Sequence, residues 1–463
     1  MSRGGNPDVQ GGASSVRGGA SSSGATAQGG LTSGGASSSG GTGSASAGFG
    51  GTTASGGRAP GTGGAAFGGS AVGGTASGGS AVGGTASGRG GAGGAASGGN
   101  AAGGNTSGGN AAGGVGSSGK GAPEAKAIGY GRNATGAGSM TAKTVASFAA
   151  AQAAIDAYSG SGGLALLYTG KVRFESITDP CTQHSLPAQI LEIKKKSDIT
   201  LLGADGSAAD FGVHIAAASS NIVIRNMTFG LLAGGDASDA ISIEGMSGGV
   251  PQDIWIDHNE FFSSMADCPG AGDTAFDGLI DVKKGADNIT VSYNYIHEHH
   301  KVSLNGFSDS DSAVRHITFY RNVFEDVGSR TPLQRGGYSH IVNNLFSGIR
   351  VSGINVRMGG YTLIESNFFE DAKNPVTSRD SDELGDWELR NNNLLTPADF
   401  AKFGISWGAS DSTPTKDATD WVTTKPYPLS LGYPYAPVAP QCLKQGLKAV
   451  AGAGKGLATL QCD

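Results

Sequence analysis

Seven asparagines constrain the fold more than any other feature of this chain. Asn226, Asn259, Asn294, Asn322, Asn344, Asn367 and Asn392 are each followed two or three residues later by a large apolar or aromatic side chain, at successive spacings of 33, 35, 28, 22, 23 and 25. They sit in short β-branched and aromatic runs such as NIVIRNMTF, DIWIDHNEFF, NITVSYNYI and YTLIESNFF. Asparagine tolerates the left-handed bend at which one strand turns into the next. Stacked on copies of itself, its amide can pair with the turns above and below. The last three spacings approach one coil of a stacked strand superhelix, and the longer early ones read as coils with inserted loops. The pattern therefore predicts a parallel β-helix, an all-β fold. An immunoglobulin-like sandwich would need hairpin turns, yet after residue 125 Asn-Gly occurs once, at Asn305-Gly306. Ahead of the strands, TAKTVASFAAAQAAIDAY (Thr141 to Tyr158) has apolar residues at helical spacing and predicts a short helix covering one end.

Residues 1–125 differ in kind. They are nearly all Gly, Ala, Ser and Thr, with Phe49 and Phe67 the only aromatics, and from Ala71 to Asn110 they repeat every ten residues. Such a segment has too little apolar surface to offset its ordering entropy, so a disordered tail or linker is expected there. Residues 126–463 are long enough for one large core or two small ones. The tail carries +3 of a whole-chain charge of −6, which leaves −9 on the remainder. That balance argues against nucleic acid as a partner. Cys181, Cys268, Cys442 and Cys462 have no close metal-ligand spacing, so two disulfides formed in an oxidising compartment are expected, with three pairings open. No segment is long enough to span a membrane. The opening MSRGGNPDVQ lacks the apolar run of a secretory signal, and a leader missing from this chain is the favoured explanation over another export route.

Charged residues cluster in two places. His297 to Arg335 contains Lys301, Arg330 and Arg335 around a strand-like run, His316 to Phe324. Taken singly each is a solvated surface charge, but two arginines on one side of a strand make a fork for planar carboxylates. Upstream, Asp239, Asp277 and Asp281 offer oxygen ligands without nearby cysteine or histidine, which favours a hard cation, Ca²⁺ above Mg²⁺. Asp277 and Asp281 stand at i and i+4, about 13 Å apart along a straight strand, so a bend must lie between them to serve one ion. His297, His299 and His300 are badly spaced for zinc. Asp257-His258 reads as a hydrogen-bonded structural pair, and without a GxSxG motif acyl transfer is unsupported.

WIDHNEFF, AFDGLIDVKKGADNITVSYNYI, HKVSLNGFSDSD, SRTPLQRGG, SGINVRMGG, NPVTSR and PQCLKQGLKAVAGAGKGLATLQC closely resemble the pectate lyases of polysaccharide lyase family 1, from about Ile128 onward. The resemblance implies a right-handed parallel β-helix that cleaves polygalacturonate by calcium-dependent β-elimination. It implies calcium on Asp239, Asp277 and Asp281. Relatives carry a further Asp two residues before the position of Asp239; here that place is Ala237, and the neighbouring Asp236 is expected to substitute. Lys301 and Arg335 would hold substrate carboxylates, with Lys283 and Arg357 as further contacts, and Arg330 would be the base. Where some relatives have a groove tyrosine after Arg379, this chain has Asp380. The implied disulfides are Cys181–Cys268 and Cys442–Cys462, in a secreted monomer. Arginine is an awkward base because its pKa lies above about 12, but Arg335, Lys301 and Ca²⁺ nearby would disfavour its protonated form. The alternatives are a pectin lyase acting on methylated substrate, for which a basic residue would be expected at Asp281, a hydrolytic polygalacturonase with paired carboxylates, and a non-catalytic wall-binding β-helix.

Overall fold

The computed structural model describes residues 118–184, 189–234, 239–272, 274–408 and 415–462. The strands form three long sheets wound as a right-handed parallel β-helix, each coil from Ser220 to Ser378 adding one strand to each sheet. One coil runs through Gln252–Asp257, Glu260–Phe262 and Ile280–Lys283 before Asp287–Ser292 starts the next. Among the described residues the first sheet has ten strands, the second six and the third nine, one of these last, Lys416–Asp417, joining antiparallel.

Alternation puts every second side chain inside, and register stacks like on like. Ile199, Ile222, Ile254, Ile289 and Ile317 lie in register through five coils of the first sheet, all fully buried. Each contributes about 1.5–3 kcal/mol on burial. In the second sheet Phe324, Phe346 and Phe369 stack with ring centroids 4.9 and 4.6 Å apart.

The asparagine ladder is built as a chain of amides. Asn294 donates its backbone N–H and its Nδ2 to Asn322 Oδ1 at 3.0 and 2.9 Å, and Asn322 repeats both bonds to Asn344. The ladder runs from Asn259 through Asn392. Two details differ from the sequence reading. The left-handed residue is the one before the ladder asparagine, as at His258, Tyr293, Arg321 and Asn343. Asn226 is itself left-handed and lies one place short of the ladder, where Met227 N–H donates to Asn259 Oδ1 instead. The bend at Arg321 also divides the run His316 to Phe324, which forms two strands in different sheets, His316–Tyr320 and Val323–Val327.

The end helix is shorter than its periodicity suggested. Lys143–Val145 pairs as a strand with Leu166 to Tyr168, because Thr144 and Val145 suit a sheet edge. Ser147 then caps the helix Phe148–Ala157 by accepting from Ala150 N–H, and Ala151, Ala154 and Ile155 face the core. At the amino-terminal side, the described structure includes residues before 125. Ser118–Gly121 pairs antiparallel with Thr459–Cys462, and Thr459 Oγ1 donates to the Ala122 carbonyl. An edge strand supplies backbone partners, so this Gly-rich stretch needs no large side chains to add itself. The disulfides are Cys181–Cys268, which ties together two loops of early coils, and Cys442–Cys462, which joins the last helix, Pro440–Gly446, to the last strand. No described helix is long and apolar enough to cross a membrane.

Candidate active site

Outward positions of the third sheet build the site. In Ile280–Lys283, Ile280 and Val282 point inward, so Asp281 and Lys283 point out. Lys283 lies in register with Glu244 one coil earlier, and Arg335 with Arg357 in the coils that follow. Asp277 precedes the strand in the inserted loop, which supplies the required bend. Asp277, Asp281, Lys283, Lys301 and Arg330 line one cleft of about 570 Å³. Arg335 and Arg357 lie beyond it on the same sheet face.

Asp239 and Asp281 converge, and both are buried. A Cβ on Gly278 would meet Asp281 Oδ1 at 2.5 Å and Asp239 Oδ1 at 2.9 Å, so the glycine leaves room for two facing carboxylates. Lys283 Nζ stands 2.5 Å from Asp239 Oδ2 and 3.4 Å from Asp281 Oδ2. Leu304 N–H donates to Asp281 Oδ1, whereas Asp239 Oδ1 is buried and has no hydrogen-bond partner among the described residues. Burial and the neighbouring Asp239 push Asp281 well above the usual carboxylate range, against the pull of Lys283. Asp281 and Asp239 in turn drive the Lys283 ammonium upward despite its burial. Among the described residues no three His, Cys, Asp or Glu side chains are gathered closely enough to hold a metal. Even so, an unpartnered buried oxygen, a second carboxylate facing it and an all-oxygen donor set fit a hard divalent cation. Asp236 lies outside the described residues. Lys283, expected as a substrate contact, stands between these two carboxylates.

The cations are held in different ways. Lys301 pairs across the coil with Ser329, and Ser303 N–H donates to the Arg330 carbonyl, so consecutive coils bring Lys301 and Arg330 together. Arg330 has φ 62°, a left-handed conformation this fold uses at many turns. Arg335 Nε reaches Asp309 Oδ1 at 2.7 Å and its Nη1 donates to the Gly306 carbonyl at 2.8 Å. Arg357 Nη1 donates to the Asp380 carbonyl at 2.6 Å, with Asp380 Oδ2 at 3.4 Å from Nη2. Burial, and then Arg335, pull the Arg357 guanidinium down to about 10. The charge of Arg330 is itself one of those lowering Arg357.

Several supporting residues escaped the sequence reading. His299 is buried and held down to about 3 by burial, and its neutral ring lies 2.5 Å from Ser263 Oγ and 3.0 Å from the Lys301 carbonyl. It braces the backbone of Lys301. Asp309 and Asp311 brace Arg335 and its loop, and their alternation in GFSDSD was the only signal available. Asp257 and His258 form the expected structural pair at 2.7 Å, with His258 Nε2 on the Ala458 carbonyl at 2.9 Å.

A family model described as pectate lyase matches residues 92–456. Pectate lyase 3 of Pectobacterium carotovorum is 50% identical over 285 residues, 60% of this chain and 74% of that protein. Pectate lyase B of Dickeya chrysanthemi is 45% identical over 309 residues, 65% of this chain and 80% of its own length. Among solved structures, pectate lyase II from Xanthomonas campestris pv. campestris superposes with a TM-score of 0.68 at 52% identity, covering 72% of this chain and all of that one. A mutant of pectate lyase C solved in complex with pentagalacturonic acid gives 0.66 at 39% identity, covering 72% of this chain and 97% of that one. The chain belongs to the pectate lyase family and is an enzyme acting on polysaccharide.

Proposed function

We propose that this pectate lyase cleaves (1→4)-linked polygalacturonate by calcium-dependent β-elimination, leaving a 4,5-unsaturated end, with Arg330 as the base. One observation carries the reading. The facing carboxylates Asp239 and Asp281 stand on the same sheet surface as Lys301, Arg330, Arg335 and Arg357. A row of cations in successive coils matches a polymer that repeats one carboxylate per sugar. Asp239 and Asp281 would hold the calcium, with Asp277 and Asp236 completing the set. Bound there with substrate, the ion would supply positive charge that acidifies the proton next to a uronate carboxylate.

The chain's own residues supply the rest. Lys301 and Arg335 orient uronate carboxylates and stabilise the enolate-like charge as it develops. Arg330 takes the C5 proton, and the C4 oxygen leaves. Positive charge from Arg335, Lys301 and a bound calcium would disfavour the protonated form of the Arg330 guanidinium. Two disulfides suit an oxidising, extracellular setting, where this polymer is found. The described strand Ser118–Gly121 pairs with Thr459–Cys462, so we assign it to the catalytic domain. Ultraviolet absorbance of the products from polygalacturonate, with and without chelator, tests the proposal. An unsaturated product that disappears with chelator is expected; saturated ends, or chelator-insensitive cleavage, would refute it.

A further inference from the structure

Resting on the reading that the cleft takes polygalacturonate, we infer that Phe307 is a stacking platform for a pyranose ring of the bound chain. Phe307 lines the cleft beside Lys284, Lys301 and Arg330 and is 46% exposed. Single exposed apolar side chains are ordinary on protein surfaces. What sets this one apart is the rigidity of its mount.

Its backbone N–H donates to Asp311 Oδ2 at 3.1 Å, and Lys284 N–H donates to the same oxygen at 2.8 Å. Asp311 Oδ1 is held by Arg315 Nη2 at 2.7 Å, and the Arg315 side chain is wholly buried. Arg315 Nη1 in turn donates to the Arg335 carbonyl at 2.7 Å. Gly306, just before Phe307, has φ 97°, and a Cβ there would meet the Asp311 carbonyl oxygen at 2.6 Å and Arg335 Cβ at 2.9 Å. Asn305-Gly306, which looks like a hairpin turn, is therefore a close-packed step that aims Phe307 outward.

A buried arginine is thus shared between the strand of Arg335 and the base of an exposed aromatic ring. The Lys284 ammonium stands 5.5 Å from the ring centroid and 2.5 Å from Glu244 Oε1. Beside that cation, the exposed part of the ring faces the cleft. Sugars present C–H faces that stack on aromatic rings, and the ligand class the surrounding cations admit is a uronate.

The test is a set of variants, Phe307→Ala, Phe307→Leu and Phe307→Tyr, read by steady-state kinetics on polygalacturonate and by calorimetric binding of saturated oligogalacturonates. Phe307→Ala should raise KM and Kd by about five- to tenfold, as expected for one aromatic contact, while kcat stays within about twofold. Its melting temperature should hold, because the side chain supports no core. Phe307→Tyr should restore KM and Phe307→Leu should not. A wild-type KM and Kd in Phe307→Ala, or full rescue by leucine, overturns the inference. A wild-type enzyme that binds the oligosaccharide without forming unsaturated product would sink the lyase reading alone, and the Phe307 variants would still be judged by Kd. Failure of the wild type to bind at all would remove both.

Discussion

At the scale of single residues, Arg330 and Asp281 carry the sharpest expectations. Arg330→Ala should lower turnover by at least about 10²–10⁴-fold with little change in oligogalacturonate binding, because Lys301 and Arg335 remain. Arg330→Lys should be nearly as damaging, since an ammonium cannot reproduce the position of one guanidinium nitrogen. Paired pH–rate and binding measurements check this, and wild-type turnover at saturating substrate in Arg330→Ala would reassign the base. Asp281→Ala should weaken calcium strongly, because it removes one of the two facing carboxylates. Asp236→Ala should show a graded loss in the same calcium titration if that residue completes the site. Alternation along the strand Ile280–Lys283 puts Asp281 and Lys283 on one face. The approach of Lys283 to Asp239 was not legible, because the two are 44 residues apart in sequence.

At the scale of elements, the amide ladder is the spine between the first and second sheets. Asn322 takes two hydrogen bonds on Oδ1 and donates from Nδ2 to Asn344 and to the Val291 carbonyl. Asn322→Ala would leave the Asn294 N–H buried without its partner, at a cost of about 2–4 kcal/mol for the linked losses. Asn392→Ala, at the end of the ladder, breaks fewer bonds and should cost less. Chemical denaturation of the two variants gives the comparison, and equal losses would show that the ladder is not cooperative. The asparagines were visible as a recurrence, but the ladder position was offset at Asn226. Spacing alone does not reveal which of two adjacent residues takes the left-handed bend and which turns its amide inward.

At the scale of the whole molecule, the two termini of the described domain close on each other. Glu124 follows the strand Ser118–Gly121 and its carboxyl is pushed up to about 7 by burial, outweighing Arg321 and the other nearby cations. A carboxyl raised in the fold stays protonated there while the unfolded chain ionises. Its cost is therefore absent below about pH 4.5, grows as pH rises, and is complete above about pH 7. The loss is at most about 3 kcal/mol, less for the part of the group that water reaches. Glu124→Gln should flatten stability between those pH values, and an unchanged slope in urea melts across that range would show that Glu124 is not the source. Starting the chain at Ala125 should lower the melting temperature by removing the paired strand, whereas a start just before Ser118 should not. Reducing both disulfides should cost about 2–4 kcal/mol each.

The amino-acid sequence by itself determined the coil, the alternation of inward and outward side chains, and the cationic and acidic residue types at the site. Those follow from local periodicity, which each strand carries within a few residues. Tertiary structure alone decided which outward residues face each other, because inter-coil register is set by hydrogen bonds between segments 20 or more residues apart. It placed Lys283 between two carboxylates, gave Arg357 to Asp380 and turned Gly306 into the mount for Phe307. It also gave the Gly-rich strand Ser118–Gly121 a partner, since backbone pairing to an open edge requires no pattern in the side chains.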